Sequence, residues 1–190
     1  MKKMLIKIIM CVVVICLVSG NSICFASDVE TNDENDISMI LEAICENNFE
    51  DGDVIDVNGK FTIRCEVKVE KTESNARNAY SSTDTATKKF VVIENSTTRE
   101  LFSITQTVVA VFNTYTEKAM ITSHTASFNA IDPSYSMRSC TQKCNLNTWN
   151  EMTPGILDIV IAQGSSTGMV RASVTVRYCD KFSFSFAQIY

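Results

Sequence analysis

One histidine, one tryptophan and the want of a second long apolar run are the first limits set by these 190 residues. With His124 as the only imidazole, any Ser-His-Asp or Cys-His mechanism must pass through that residue. It lies in the series Met120, Thr122, His124, Ala126, Phe128, whose parity assigns it to the more apolar face of a strand. A histidine there reads as a hydrogen-bonded core residue. Positive charge is also scarce: 17 Lys and Arg stand against 22 Asp and Glu, a net charge of −5. That excludes nucleic acid, whose phosphates demand a basic footprint, and disfavours docking on anionic lipid. Beyond the N-terminus no stretch reaches the roughly 20 apolar residues of a bilayer-spanning helix. No cofactor signature is present, and no residue is assigned a catalytic, cofactor-binding or metal-binding role.

What the chain does have begins at its first residues. Lys2, Lys3 and Lys7 precede an unbroken apolar run, Ile8 to Val18, and then the polar Ser19-Gly20-Asn21-Ser22. The run is about half the length of a membrane span and suits a secretory signal peptide, residues 1–26, cleaved after Ala26 with Cys24 at −3. A lipid anchor is the competing fate, but Asn21 stands where Leu17-Val18-Ser19-Gly20 would need a cysteine. The chain is therefore expected to be secreted. Without its leader it keeps 14 basic and 22 acidic residues, a charge near −8 that favours solubility. Cys11, Cys16 and Cys24 leave with the leader, so five of the eight cysteines remain, an odd number for an exported protein.

Residues 27–52 read as an acidic tail, Ser27 to Asp36, followed by an amphipathic helix, Ile37 to Phe49. Ile37, Ile40, Leu41, Ile44 and Cys45 share one face; Asp36 is the expected N-cap and Gly52 the stop. At Val54 the period becomes two. Asn58-Gly59 between Val54–Val57 and Phe61–Val69 predicts a hairpin over 53–71, with Phe61, Ile63, Cys65, Val67 and Val69 on the buried side. Residues 72–88, rich in Ser, Thr and Asn, read as a linker. From 89 to 190 strands follow one another: Phe90–Ile93, Leu101–Tyr115, Lys118–Ala130, Ile156–Ala162, Val170–Tyr178 and a final alternation of Phe182, Phe184 and Phe186. The expected fold is mainly β, an antiparallel β-sandwich with one N-terminal amphipathic helix.

Several stretches carry a resemblance. They are Ser81-Ser82-Thr83 running on to Lys89–Ser96, Phe112-Asn113-Thr114-Tyr115, Ala119–Ser123, Asp132-Pro133-Ser134-Tyr135 and Val174–Lys181. Over residues 81–183 the chain resembles a group of small secreted β-sandwich proteins of Gram-positive, mostly gut-dwelling bacteria. The resemblance implies export and a sandwich, and carries no functional residues across. Members of the group often place a cysteine in the Ala-x-x-Thr-Ser strand, able to pair with the one matching Cys179. Here Ile121 stands in that place.

The cysteines divide by strand parity. Cys45 and Cys65 fall on apolar faces, as small buried hydrophobes, while Cys179 shares a polar face with Thr175 and Arg177. Cys140 and Cys144 are about 13 Å apart if both lie on one strand, beyond the roughly 7 Å reach of a disulfide, so they could bond to each other only across a turn. The disulfide candidates are Cys140, Cys144 and Cys179, and the shared polar face favours a bond from Cys179 to one of the others. A thiolate metal site of these three with His124 is the sharper alternative. Asp51-Gly52-Asp53 hints at calcium but has Ile55 at a ligand position, so these acids more simply dress a turn. Asn95-Ser96-Thr97, a sequon by pattern, reads as a turn. Trp149, alone in a polar stretch, is the candidate ligand contact. Among the acids only Asp158 stands out within a strand as a candidate for carboxylate hydrolysis. The expected function is non-catalytic binding of a protein or glycan at the cell envelope. A secreted carboxylate-dependent wall or glycan hydrolase and a small antibacterial toxin or its immunity partner are the alternatives.

Overall fold

The computed structural model describes residues 33–72, 80–179 and 181–189. The expected leader, its expected cleavage site after Ala26 and residues 27–32 lie outside the described residues, and Asp33–Tyr190 makes one compact unit. Within it one helix, α1 (Asp33–Glu46), precedes nine strands: β1 (Val54–Val57), β2 (Phe61–Thr72), β3 (Ser81–Glu94), β4 (Arg99–Asn113), β5 (Lys118–Ala130), β6 (Tyr135–Gln142), β7 (Met152–Gln163), β8 (Ser166–Arg177) and β9 (Lys181–Ile189). Every pairing is antiparallel, in two sheets of order β1-β2-β3-β4-β5 and β6-β7-β8-β9. Each sheet is a simple meander, and the chain crosses between them once, at 131–134. The fold is β-sandwich-like, as the alternating sequence predicts.

Local chemistry sets the turns. Asn58 and Gly59 both take positive φ (54° and 70°), and the Lys60 amide donates to the Val57 carbonyl. This is the type I′ geometry that matches strand twist. Gly164 (φ 58°) turns β7 into β8 within two residues, pairing Gln163 with Ser166. That places Ser166–Gly168 in β8, ahead of the strand start expected at Val170.

Three sequence expectations are corrected. First, α1 begins at Asp33, so the last residues of the acidic tail are helical. Acidic residues suit the N-terminal turn of a helix, and Asp36 is no N-cap but a buried carboxylate paired with Lys60 of the β1–β2 hairpin. Second, residues 81–88 of the expected 72–88 linker form the first half of β3, paired with β2 along its length. Their inward positions, Asp84, Ala86 and Lys88, are all buried, but two of the three are charged, which hides the alternation. Residues 73–79 are outside the description. Third, hairpin 53–71 is not separate from the sandwich, because β2 continues its first sheet. The buried face of β2 ends early: Phe61, Ile63 and Cys65 are buried and Val69 is exposed.

The interior is filled in two parts. Ile37, Ile40, Leu41 and Ile44 of α1 share one buried cluster with Phe61, Ile63 and Phe90 of the first sheet and Leu157, Ile159 and Val170 of the second. Gly168 permits the helix's close approach, since a Cβ there would lie 2.5 Å from Leu41 Cδ1. The second cluster joins Val108, Phe112, Ala119 and Ile121 to Val174 and Val176. Edge-to-face rings tie the sheets together, Phe90 to Phe186 at 4.9 Å and Phe112 to Phe182 at 5.8 Å. No helix among the described residues is long and apolar enough to cross a membrane.

Candidate binding site

The start of β5 organises one end of the sandwich. On one side it follows the turn 114–117 from β4. On its other side it holds the loop between β6 and β7. Ala119 and Asn150 exchange backbone hydrogen bonds in both directions (2.9 and 3.0 Å), and the Asn147 amide donates to the Ile121 carbonyl at 2.9 Å. The hydroxyl of buried Thr153 donates to the Ala119 carbonyl at 3.0 Å. Backbone bonds and one buried hydroxyl therefore fix this loop, together with Leu146, which packs on the second cluster.

The fixed loop borders a groove of about 720 Å³ whose lining includes Gln142, Cys144, Asn145, Thr148, Asn150 and Thr153. Its chemistry is that of amides and hydroxyls. The side-chain amides of Asn145 and Asn150, both exposed, make no hydrogen bond among the described residues, so their donors and acceptors are available. Trp149 lies between the lining residues Thr148 and Asn150 and is 38% exposed. Lys143, the one cation among the described residues lining the groove, is engaged: its ammonium lies 2.6 Å from Asp158.

Asp158 thereby receives an explanation. It faces outward on β7, where Arg171 of β8 donates to it from Nε (2.8 Å) and from a terminal guanidinium nitrogen (3.1 Å). The Arg171 hydrogen bonds, with that of Lys143, hold its carboxyl down at about 2. It is a structural anion, spent on two cations. Asp51 and Asp53 are likewise occupied, accepting from the backbone amides of Val67 (2.7 Å) and Glu50 (2.6 Å). Asn95 lies in the β3–β4 turn, bonded to Asp56 and Thr62.

His124 is buried as its parity predicts, at 1% exposure. Its Nε2 lies 2.8 Å from Gln106 Nε2, and a Cβ on Gly155 would come within 2.8 Å of its Nδ1. Burial pushes its pKa down to about 4, so the ring is neutral at neutral pH.

The disulfide expectation does not survive the register. All five described cysteines are free. Cys140 pairs with Ile159, which pairs with Val170, whereas Cys179 follows the far end of β8. Val170 and Arg177 alone are about 23 Å apart along that strand. Cys144 follows Lys143, whose amide bonds the Ile156 carbonyl. Ile156 pairs with Ser173, leaving two strand spacings and six residues, together well over 10 Å, to Cys179. Neither thiol can reach Cys179 within the limit for a disulfide, and the same separation disperses the thiolate metal site. Cys45 and Cys65 are pushed up to about 11 by burial, as inert thiols are.

A smaller cavity of about 130 Å³ lies beyond the C-terminus of α1, between Glu46, Asn47, Phe90 and Phe186, with Lys88 in its wall. The Lys88 ammonium donates to the Phe49 carbonyl at 2.7 Å, and burial lowers its pKa. It closes the loop after the helix. No protein-family model, curated protein or solved structure matches this chain.

Proposed function

We propose that this chain is an exported, non-catalytic binding module that recognises a protein or glycan of the cell envelope, at or outside the cell surface. The leader pattern at residues 1–26 supports export. The observation that carries the binding reading is the groove beside Trp149. A loop clamped by its backbone to β5 presents uncommitted amides to solvent, which is the economy of a recognition site: rigid support with a few free polar groups. A carboxylate-dependent hydrolase is less well supported, because the acid that stands out in a strand, Asp158, is locked between Arg171 and Lys143.

The test is a pull-down of tagged protein on cell-envelope extract beside a Thr148→Trp variant that obstructs the groove. Enrichment of a protein or glycan by the wild type, lost in the variant, is the expected result. No enrichment, or equal enrichment by both, overturns the reading. Export is tested separately, by expressing the chain with its leader and sequencing the N-terminus recovered from the medium. Ser27 is expected there, and retention of the whole chain in cells refutes it.

A further inference from the structure

Two aromatic side chains at the same end of the fold have no role in its interior. Tyr115 is 82% exposed and Tyr80 is 65% exposed, yet their rings meet at a centroid separation of 6.3 Å and an interplanar angle of 65°. Their backbones are fixed. The amide and hydroxyl of Thr114 both donate to the Tyr80 carbonyl, at 2.8 and 3.1 Å. The Asn113 side-chain oxygen accepts from the amides of Tyr115 and Thr116, each at 2.9 Å. Large rings left in water are the informative exception to burial, and a tyrosine held this way offers a wide contact at little entropic cost.

The topology puts this pair beside the groove. Tyr115 lies in the turn that enters β5, and Asn150, flanked by Trp149, pairs with Ala119 four residues further on. One strand spacing and a few residues of rise place them about 10–15 Å apart. The geometry points to one elongated site, in which Tyr80 and Tyr115 form a stacking platform that continues the amide-lined groove and takes a neutral glycan chain. A sugar has an apolar C–H face that stacks on a ring and a rim of hydroxyls that match amides. Neutrality follows from the charges: Lys143 is already paired with Asp158, so no uncommitted cation stands among the described residues lining the groove. The two rings, with Glu117 of the turn and Lys118 of β5 beside them, do not make the continuous apolar centre that a protein partner of standard size would bury. This assignment rests on the groove being a binding site, and the test separates the two.

The protein is assayed for retention on insoluble neutral polysaccharides, namely chitin, a β-linked glucan and peptidoglycan sacculi stripped of anionic polymers. Variants are Tyr80→Ala, Tyr115→Ala, Tyr115→Phe and the groove-obstructing Thr148→Trp, each checked for unchanged far-ultraviolet circular dichroism and thermal midpoint. The expected result is retention by the wild type and by Tyr115→Phe. Each tyrosine-to-alanine change should weaken it at least about tenfold, as removal of an aromatic anchor does, and Thr148→Trp should abolish it. Retention that falls with Thr148→Trp but not with the alanine variants overturns the platform and leaves the groove standing. Retention by none of the polysaccharides overturns the glycan assignment. If the envelope extract then yields a protein that Thr148→Trp fails to capture, the binding module stands with a protein partner.

Discussion

Gly155→Ala is the sharpest perturbation that the packing of the two sheets allows. Gly155 lies on β7 and faces the interior, where a methyl would come within 2.8 Å of His124 Nδ1, 2.8 Å of Val174 Cγ1 and 3.1 Å of His124 Cε1. Comfortable carbon contacts fall near 3.5–4.0 Å, so the methyl is roughly 1 Å too close on two sides. Neither neighbour can give way cheaply. His124 and Val174 are each 1% exposed, and the imidazole is held to Gln106 at 2.8 Å. Overpacking of this kind costs about 1–3 kcal/mol, and two blocked directions place Gly155→Ala in the upper half, near 2.5. Replacing glycine stiffens the unfolded chain and returns about 0.5 kcal/mol, so a net loss of about 2 kcal/mol is expected. Urea unfolding followed by circular dichroism should show a lower midpoint with an unchanged slope. The thermal midpoint should fall by about 4–8 °C for a chain of this size. In combination with His124→Ala, which empties the space, the two losses should fall short of their sum by at least about 1 kcal/mol. Additive losses, or a single-variant loss under about 0.5 kcal/mol, would refute the placement of His124 against β7.

His124 also gives the fold an acid dependence. Its folded pKa of about 4 lies below the unfolded value of 6.5, so the unfolded chain takes the proton first as pH falls. Its contribution is complete above about pH 6.5 and declines towards pH 4, by on the order of 3 kcal/mol in all. His124→Gln should flatten that decline in a pH series of unfolding curves, and an unchanged slope would contradict it. Lys181→Met strands the carboxylate of Asp84, which is 1% exposed and lies 3.2 Å from the Lys181 ammonium. A loss of about 3 kcal/mol is expected from such an orphaned charge. Adding Asp84→Asn should recover much of it, and equal stability of the single and double variants would refute the pairing. Peptide mapping without reductant should recover Cys179 as a free thiol, and a Cys179-linked peptide would break the assigned register.

The parts of this fold legible in the sequence are those with a clean period. Ile37, Ile40, Leu41 and Ile44 repeat as one helical face and are all buried. Val170, Ala172, Val174 and Val176 alternate along β8 and are buried too. The first half of β3 was illegible because its inward positions are Asp84, Ala86 and Lys88. A strand period is written in hydrophobicity, and here two inward residues are charged. Their partners are Lys181, distant in the chain, and the carbonyl of Phe49, which only the folded state supplies. The candidate site was half legible. Trp149 stands out as the lone tryptophan, but Tyr80 falls in the expected linker and Tyr115 at the end of an expected strand 35 positions on, and only the pairing of β3 with β4 brings them together. The cysteines show the opposite failure: parity grouped residues that sheet order then separated, because a shared face says nothing about distance along it.

The loop of the groove divides its labour in a way that predicts its mutational behaviour. Its attachment to β5 uses the backbone of Ala119, Ile121, Asn147 and Asn150 and the hydroxyl of Thr153, and the side chains of Asn145 and Asn150 take no part in it. Truncating those two amides removes no internal hydrogen bond and buries nothing new. Asn145→Ala and Asn150→Ala should therefore change unfolding free energy by less than about 0.5 kcal/mol, the range of surface substitutions away from special features. Thr153→Val behaves differently. It leaves a buried carbonyl with one donor fewer and removes a hydrogen bond worth about 1 kcal/mol, loosening the loop from within. If recognition uses the amides, the asparagine variants lose ligand while keeping stability, and Thr153→Val loses stability first. A measured loss of stability in Asn145→Ala or Asn150→Ala would mean that those side chains hold the loop, and the groove would then be part of the scaffold rather than a surface kept free for a partner.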